Sequence, residues 1–162
     1  MATSAIPLPS GGTPSPSNVL HEYTSGGSWP KPVSSRFKGV WVAVVGGAGS
    51  GGGGWTHTVG ASGGSGGGGG ASVVMWIPEA SLLSTETYTI GGGGAGVGPL
   101  TMGIAGGDSS FGAHAIAKGG SRGQAVAAAV TIAGGPGGNV LLCTPIASGP
   151  SRGGAAGGTG AR

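Results

Sequence analysis

Glycine comes in blocks along this chain, and the blocks keep no fixed register. Residues 46–54 read GGAGSGGGG, residues 63–70 read GGSGGGGG and residues 91–98 read GGGGAGVG. A collagen triple helix needs glycine at every third position, and blocks of four and five break that repeat. The chain has 43 glycines among 162 residues, several-fold above the ~7% of average usage. Glycine loses more backbone freedom on ordering than any other residue. Two outcomes are open. The runs stay flexible, or they lie side by side as extended, threefold polyglycine helices. Such helices point N–H and C=O groups outward, and with no Cβ in the way neighbours satisfy each other's backbone groups. The near-pure Gly, Ala and Ser content of the runs suits the second outcome.

Between the runs lie apolar islands with strand character. Residues 40–45 (VWVAVV) are apolar on both faces, which predicts a strand covered on both sides. Residues 71–78 (ASVVMWIP) form a second strand, ended by Pro78, which cannot donate to a ladder. Residues 78–84 (PEASLLS) suit one short helical turn that starts at proline. Residues 85–92 (TETYTIGG) alternate as a strand. Residues 109–120 predict one more short strand, packing through Phe111, His114 and Ile116. Residues 125–135 (AVAAAVTIAGG) mix helix-forming alanine with Val and Ile; the bracketing glycines favour a strand. Residues 138–146 (GNVLLCTPI) close the series.

The expected fold class is therefore all-β: a small, jelly-roll-like β-sandwich with long glycine-rich loops and packed polyglycine-II helices. Residues 1–28 read as a proline-rich extended arm, 29–146 as the glycine-rich β domain and 147–162 as a flexible Gly-rich tail. In the arm, Ile6, Leu8, Val19, Leu20 and Tyr23 stand out from Pro, Ser, Thr and Gly. They read as anchors onto a partner; the alternative is a frayed tail. Trp29, Trp41 and Trp76 suit the core or a subunit contact.

Few residues offer chemistry. Gly47, Gly49 and Gly52 make a formal G-x-G-x-x-G after a strand. A dinucleotide site also needs a following helix and an acid about 20 residues on. The sequence GGWTHTVGASGG cannot form that helix, and the next acid is Glu79. No G-K-[ST] follows the glycines, so a P-loop fails too. His21, His57 and His114 lack metal-ligand spacing. Glu22, Glu79, Glu86 and Asp108 are isolated in sequence, and Cys143 reads as a small buried hydrophobe. The expectation is no enzyme, no cofactor and no metal. The formal charge of +3 comes from scattered basic residues, which argues against nucleic acid as a partner. No run of about 18 apolar residues suggests membrane insertion, and the first residues lack the pattern of a secretory signal. One constellation remains: Trp55 and His57, in a glycine-rich stretch, suit a receptor or partner contact, since a Trp there can stack on a sugar or fill a pocket. The alternative is that Trp55 packs over the glycine layer.

The order of motifs carries a resemblance. SWPKP leads into RFKGVWVAVVGGAGSGGGG; GGGGGASVVMWIP, TETYTIGGGGAG, GGDSSFGAHAIAKGG and a glycine-rich tail follow. Over residues 28–138 this resembles the glycine-rich domain of bacteriophage minor tail and tail-fibre proteins. The glycine-rich module of some animal receptor kinases is similar in make-up, which bears on architecture and not function. The resemblance implies a structural component of the virion at the tail tip or fibre, contributing to host-surface attachment. It also implies a homotrimer, docking to other tail proteins through the arm, and a host glycan or protein as receptor. Synthesis in the host cytoplasm and release by lysis would fit. The competing class is a bacterial or plant-type glycine-rich surface or cell-wall protein. The chain departs from many tail adhesins in ending soon after the domain.

Overall fold

The structure, a computed structural model, describes residues 20–57, 60–126, 135–137, 140–142 and 151–152. It is all-β, and every strand pair is antiparallel. In chain order the strands are β1 Gly27–Pro30, β2 Gly39–Val45, β3 Trp55–His57, β4 Gly60–Ser62, β5 Ser72–Pro78, β6 Thr85–Thr89, β7 Ser109–Phe111, β8 Ala115–Ala117, β9 Val140–Leu142 and β10 Ser151–Arg152. They form a five-stranded sheet, β1-β6-β7-β8-β9, a three-stranded sheet, β10-β5-β2, and the two-stranded pair β3-β4.

The core joins the two larger sheets. Val42 and Val44 of β2, and Val73, Met75 and Ile77 of β5, meet Phe111 of β7 and Ala115 and Ala117 of β8. Trp29, Phe37 and Tyr88 pack against this cluster. Period-two alternation explains the choice: Val42 and Val44 point inward while Trp41, Ala43 and Val45 point outward. At β5 the chain stops at Pro78 and makes a single 3-10 turn, Glu79–Ser81.

The glycine runs are cross-linked through their backbones with a period of three. The N–H groups of Gly46, Gly49 and Gly52 donate to the carbonyls of Ala71, Gly68 and Ser65; those of Gly47, Ser50 and Gly53 donate to Gly107, Ile104 and Thr101, all at 2.7–2.9 Å. The carbonyls of Gly47, Ser50 and Gly53 accept from Gly120, Gly123 and Val126. The Ala48 carbonyl accepts from Gly94, so the run at 46–54 bonds four neighbouring segments at once. Those segments also bond one another: Ser65, Gly68 and Ala71 donate to Gln124, Ser121 and Lys118, and Gly103 and Gly106 to Gly123 and Gly120. Serines add acceptors, with Ser65 Oγ taking the N–H of Gln124 at 2.7 Å and Ser50 Oγ that of Ile104 at 2.8 Å. Among the described glycines only Gly39 and Gly112 have positive φ. The lattice needs glycine for close approach, not for a left-handed backbone.

Several expectations change. Residues 109–120 make a hairpin, β7 and β8, because Gly112 adopts φ 51° and turns the chain. The expected cover on both faces of residues 40–45 is absent among the described residues: Trp41 is 64% and Val45 62% exposed. Gly27 and Ser28, assigned to the arm, already pair with Tyr88 and Thr87 in β1. Ser151 and Arg152, assigned to a flexible tail, pair with Val73 and Ser72 of β5. The expected strand over 125–135 falls mostly outside the described residues, as does Cys143.

Candidate functional site

Trp55 and His57 lie on β3, paired with Ser62 and Gly60 of β4. The stretch read as open glycine loop therefore contains a hairpin, and Trp55 is half-buried and partnered. The hairpin is seated at the end of the lattice, where the Gly54 carbonyl accepts from Leu100.

Of the arm anchors, Ile6, Leu8 and Val19 lie outside the described residues. Tyr23 packs on Tyr88 with ring centroids 4.5 Å apart, and His21 stacks on Tyr23 at 6.2 Å. Leu20 is 90% exposed. These residues border a groove of about 710 Å³. Its sides are the length of β2, residues 20–24, and the end of β6 with Ile90; Trp29, Tyr88 and Phe111 also line it. Among the described residues β2 is the last strand of its sheet, so the groove runs along a strand edge with no described partner.

Trp41, on the β2 side of the groove, and Trp76 face each other across the β2–β5 ladder, centroids 5.8 Å apart. With Ala43, Val45 and Val74 they make an exposed apolar sheet face. Leu100, Met102 and Ile104 are a second exposed apolar group, beside the lattice.

One buried polar cluster escaped the sequence reading. Glu86 is 2% exposed; its Oε1 lies 3.1 Å from His114 Nε2 and accepts the Leu83 N–H at 2.8 Å. Gly112 is at hand for steric reasons as well as for its turn, since a Cβ there would collide with Glu86 Oε2. The signal was present: Glu86 shares a strand face with Tyr88, two residues on, so its burial follows from the alternation of β6. This cluster ties β6 to the β7–β8 turn. On the surface, Lys118 bonds Asp108 at 2.6 Å and the Gly119 N–H donates to the same carboxylate at 2.9 Å. The Lys118 bond, then the Gly119 bond, hold the Asp108 carboxyl below its ordinary range.

Among the described residues no three His, Cys, Asp or Glu side chains gather as metal ligands, and no helix is long and apolar enough to cross a membrane. The glycines of the formal G-x-G-x-x-G are committed to the lattice: Gly47, Gly49 and Gly52 each donate to a neighbouring segment. No family model matches the chain, and no curated protein matches it.

Proposed function

We propose that this chain is a structural minor tail protein of a bacteriophage virion, at the tail tip or fibre, contributing to attachment at the host surface. The observation that carries the reading is the backbone lattice of residues 46–126. A layer cross-linked through main-chain bonds, with little side-chain chemistry, suits a rigid spacer better than an active site. The ordered motifs from SWPKP to SSFG support the same family. On this reading the two larger sheets form a small jelly-roll-like β-sandwich, and the glycine runs are polyglycine-II helices stacked at one end of it. The protein assembles as a homotrimer and joins other tail proteins through its N-terminal arm. The β3–β4 hairpin, with Trp55, faces the host, where its indole meets a surface glycan or protein.

Immunogold labelling of purified virions with an antibody to this chain tests the reading. Label at the tail supports it; particles free of the chain would end it. Host-binding assays with Trp55→Ala then separate adhesin from scaffold. Loss of binding assigns attachment to the hairpin, and unchanged binding leaves a scaffold.

A further inference from the structure

The turn between β1 and β2 concentrates charge that the chain does not balance. Lys31, Arg36 and Lys38 are three of the seven basic residues, and all lie in the stretch KPVSSRFK at 31–38. That stretch is held by its own bonds. Phe37 donates its N–H to the Ser34 carbonyl at 3.1 Å, and the Arg36 N–H bonds Ser34 Oγ at 3.2 Å. The Lys31 ammonium donates to the Leu82 carbonyl at 3.3 Å, and the Lys38 ammonium to that of Ser35 at 3.2 Å. Carbonyls orient these cations without neutralising them. Lys31, Val33, Ser34, Ser35 and Glu79 border a cleft of about 340 Å³.

The chain has four Asp and Glu side chains, and all four are among the described residues. Glu86 is buried on His114, and Asp108 is taken by Lys118. Glu79 stands on the cleft wall, and Glu22 lies in the wall of the groove beside β2. Among the described residues no carboxylate is within ion-pair distance of Lys31, Arg36 or Lys38. No other segment of the chain carries an Asp or Glu to bring to the turn, wherever that segment lies. A second copy does no better. Its Glu86 and Asp108 are engaged in the same way and its Glu79 belongs to its own turn, which leaves Glu22 alone against three cations. The balancing charge must come from a different molecule.

Val33, between Lys31 and Arg36, is fully exposed. A partner that covers the turn therefore meets several positive charges around an apolar side chain. An acidic protein segment supplies both carboxylates and an apolar group, whereas a phosphate polymer supplies the charge alone. We infer that the 31–38 turn docks an acidic segment of another protein, with carboxylates against Lys31, Arg36 and Lys38 and an apolar side chain on Val33. Exposed ion pairs contribute modestly one by one and are screened by salt. Three cations on one turn steer the encounter. The inference stands apart from the virion reading, since the purified chain alone tests it.

The test is the fluorescence anisotropy of a labelled peptide of Glu-Glu-Leu repeats, titrated with the full chain at low and high salt. The parent is expected to bind the peptide, and to bind it less as salt rises. Arg36→Gln together with Lys38→Gln is expected to weaken binding about tenfold. Lys118→Gln together with Arg122→Gln removes the same charge elsewhere and is expected to leave binding unchanged. Val33→Ser is expected to weaken binding of the peptide and not of a labelled polyphosphate, which the parent binds less tightly. Thermal unfolding checks that each variant is folded. A parent that does not bind the peptide would overturn the inference. Equal loss in the two double variants would overturn it as well, since net charge alone would explain the binding. Polyphosphate bound as tightly as the peptide, with Val33→Ser affecting neither, would overturn the protein partner in favour of a phosphate polymer.

Discussion

Gly120 donates its N–H to the carbonyl of Gly47 at 2.9 Å, while its own Cα lies against the backbone of Gly68 so closely that a Cβ would collide with that carbonyl. One residue is thus bonded on one side and in van der Waals contact on another. The same double demand recurs at Gly106 and Gly123. The entropy lost in ordering these glycines is offset by backbone bonds made at positions where a Cβ would collide with the neighbouring segment.

The lattice predicts a sharp contrast between alanine substitutions. Gly120→Ala must displace backbone rather than a side chain, so it is expected to cost at least the ~1–3 kcal/mol of an overpacked core. At Gly92 a Cβ meets nothing within 4 Å, and φ is not positive. Gly92→Ala is expected to be neutral or to stabilise by up to about 1 kcal/mol through the unfolded chain. Thermal or denaturant unfolding of the two variants against the parent checks this.

The Glu86 cluster predicts a second set of losses. Glu86→Ala leaves the Leu83 N–H and the His114 ring nitrogen without their partner. A buried group left unsatisfied costs roughly 1–3 kcal/mol. Gly112→Ala should destabilise as well, through φ 51° and the collision with Glu86. Equilibrium denaturation measures both, and an unchanged midpoint for Glu86→Ala would remove the structural role given to the pair.

Asp108 predicts a small acid-dependent effect. Its carboxyl is held below the ordinary value by Lys118 and Gly119. The folded pKa is lower than the unfolded one, so the stabilisation is full above the unfolded value of ~3.9 and fades as pH falls through the folded value. Both side chains are more than two-fifths exposed, so solvent screens the pair and the gain is slight. Asp108→Ala is expected to lower the melting temperature slightly at neutral pH, and the difference should vanish in strong acid. A constant difference across pH would assign the effect to something other than the charge.

What was legible in the sequence followed from local rules. Apolar runs and a terminating proline placed β2 and β5 to within a residue at each end, alternation placed the start of β6 but ran three residues past its end at Thr89, and proline-started geometry placed the 3-10 turn at Glu79–Ser81. Two kinds of feature were hidden. Short strands such as β1 and β10 owe their existence to a partner far along the chain: Trp29 pairs with Glu86, and Arg152 with Ser72. Their own residues carry almost no propensity signal. The glycine runs hid the second kind. Sequence could argue that they pack, but which residue meets which is a tertiary fact, as in Gly103 with Gly123. At the candidate site, the aromatic character of Trp55 was legible and its strand was not, because the β3–β4 pairing lies within glycine-rich sequence. The exposed face of β2 is also invisible in sequence, since a strand apolar on both faces reads as covered.

The central claim is that the glycine runs form an ordered backbone lattice, and residue-resolved amide exchange of residues 46–54 tests it most directly. Within this run the N–H groups of 46, 47, 49, 50, 52 and 53 are bonded to other segments, whereas those of Ala48, Gly51 and Gly54 have no such bond among the described residues. The lattice predicts two slow amides followed by one fast amide, repeated along the run. Uniformly fast exchange from Gly46 to Gly54 would contradict it.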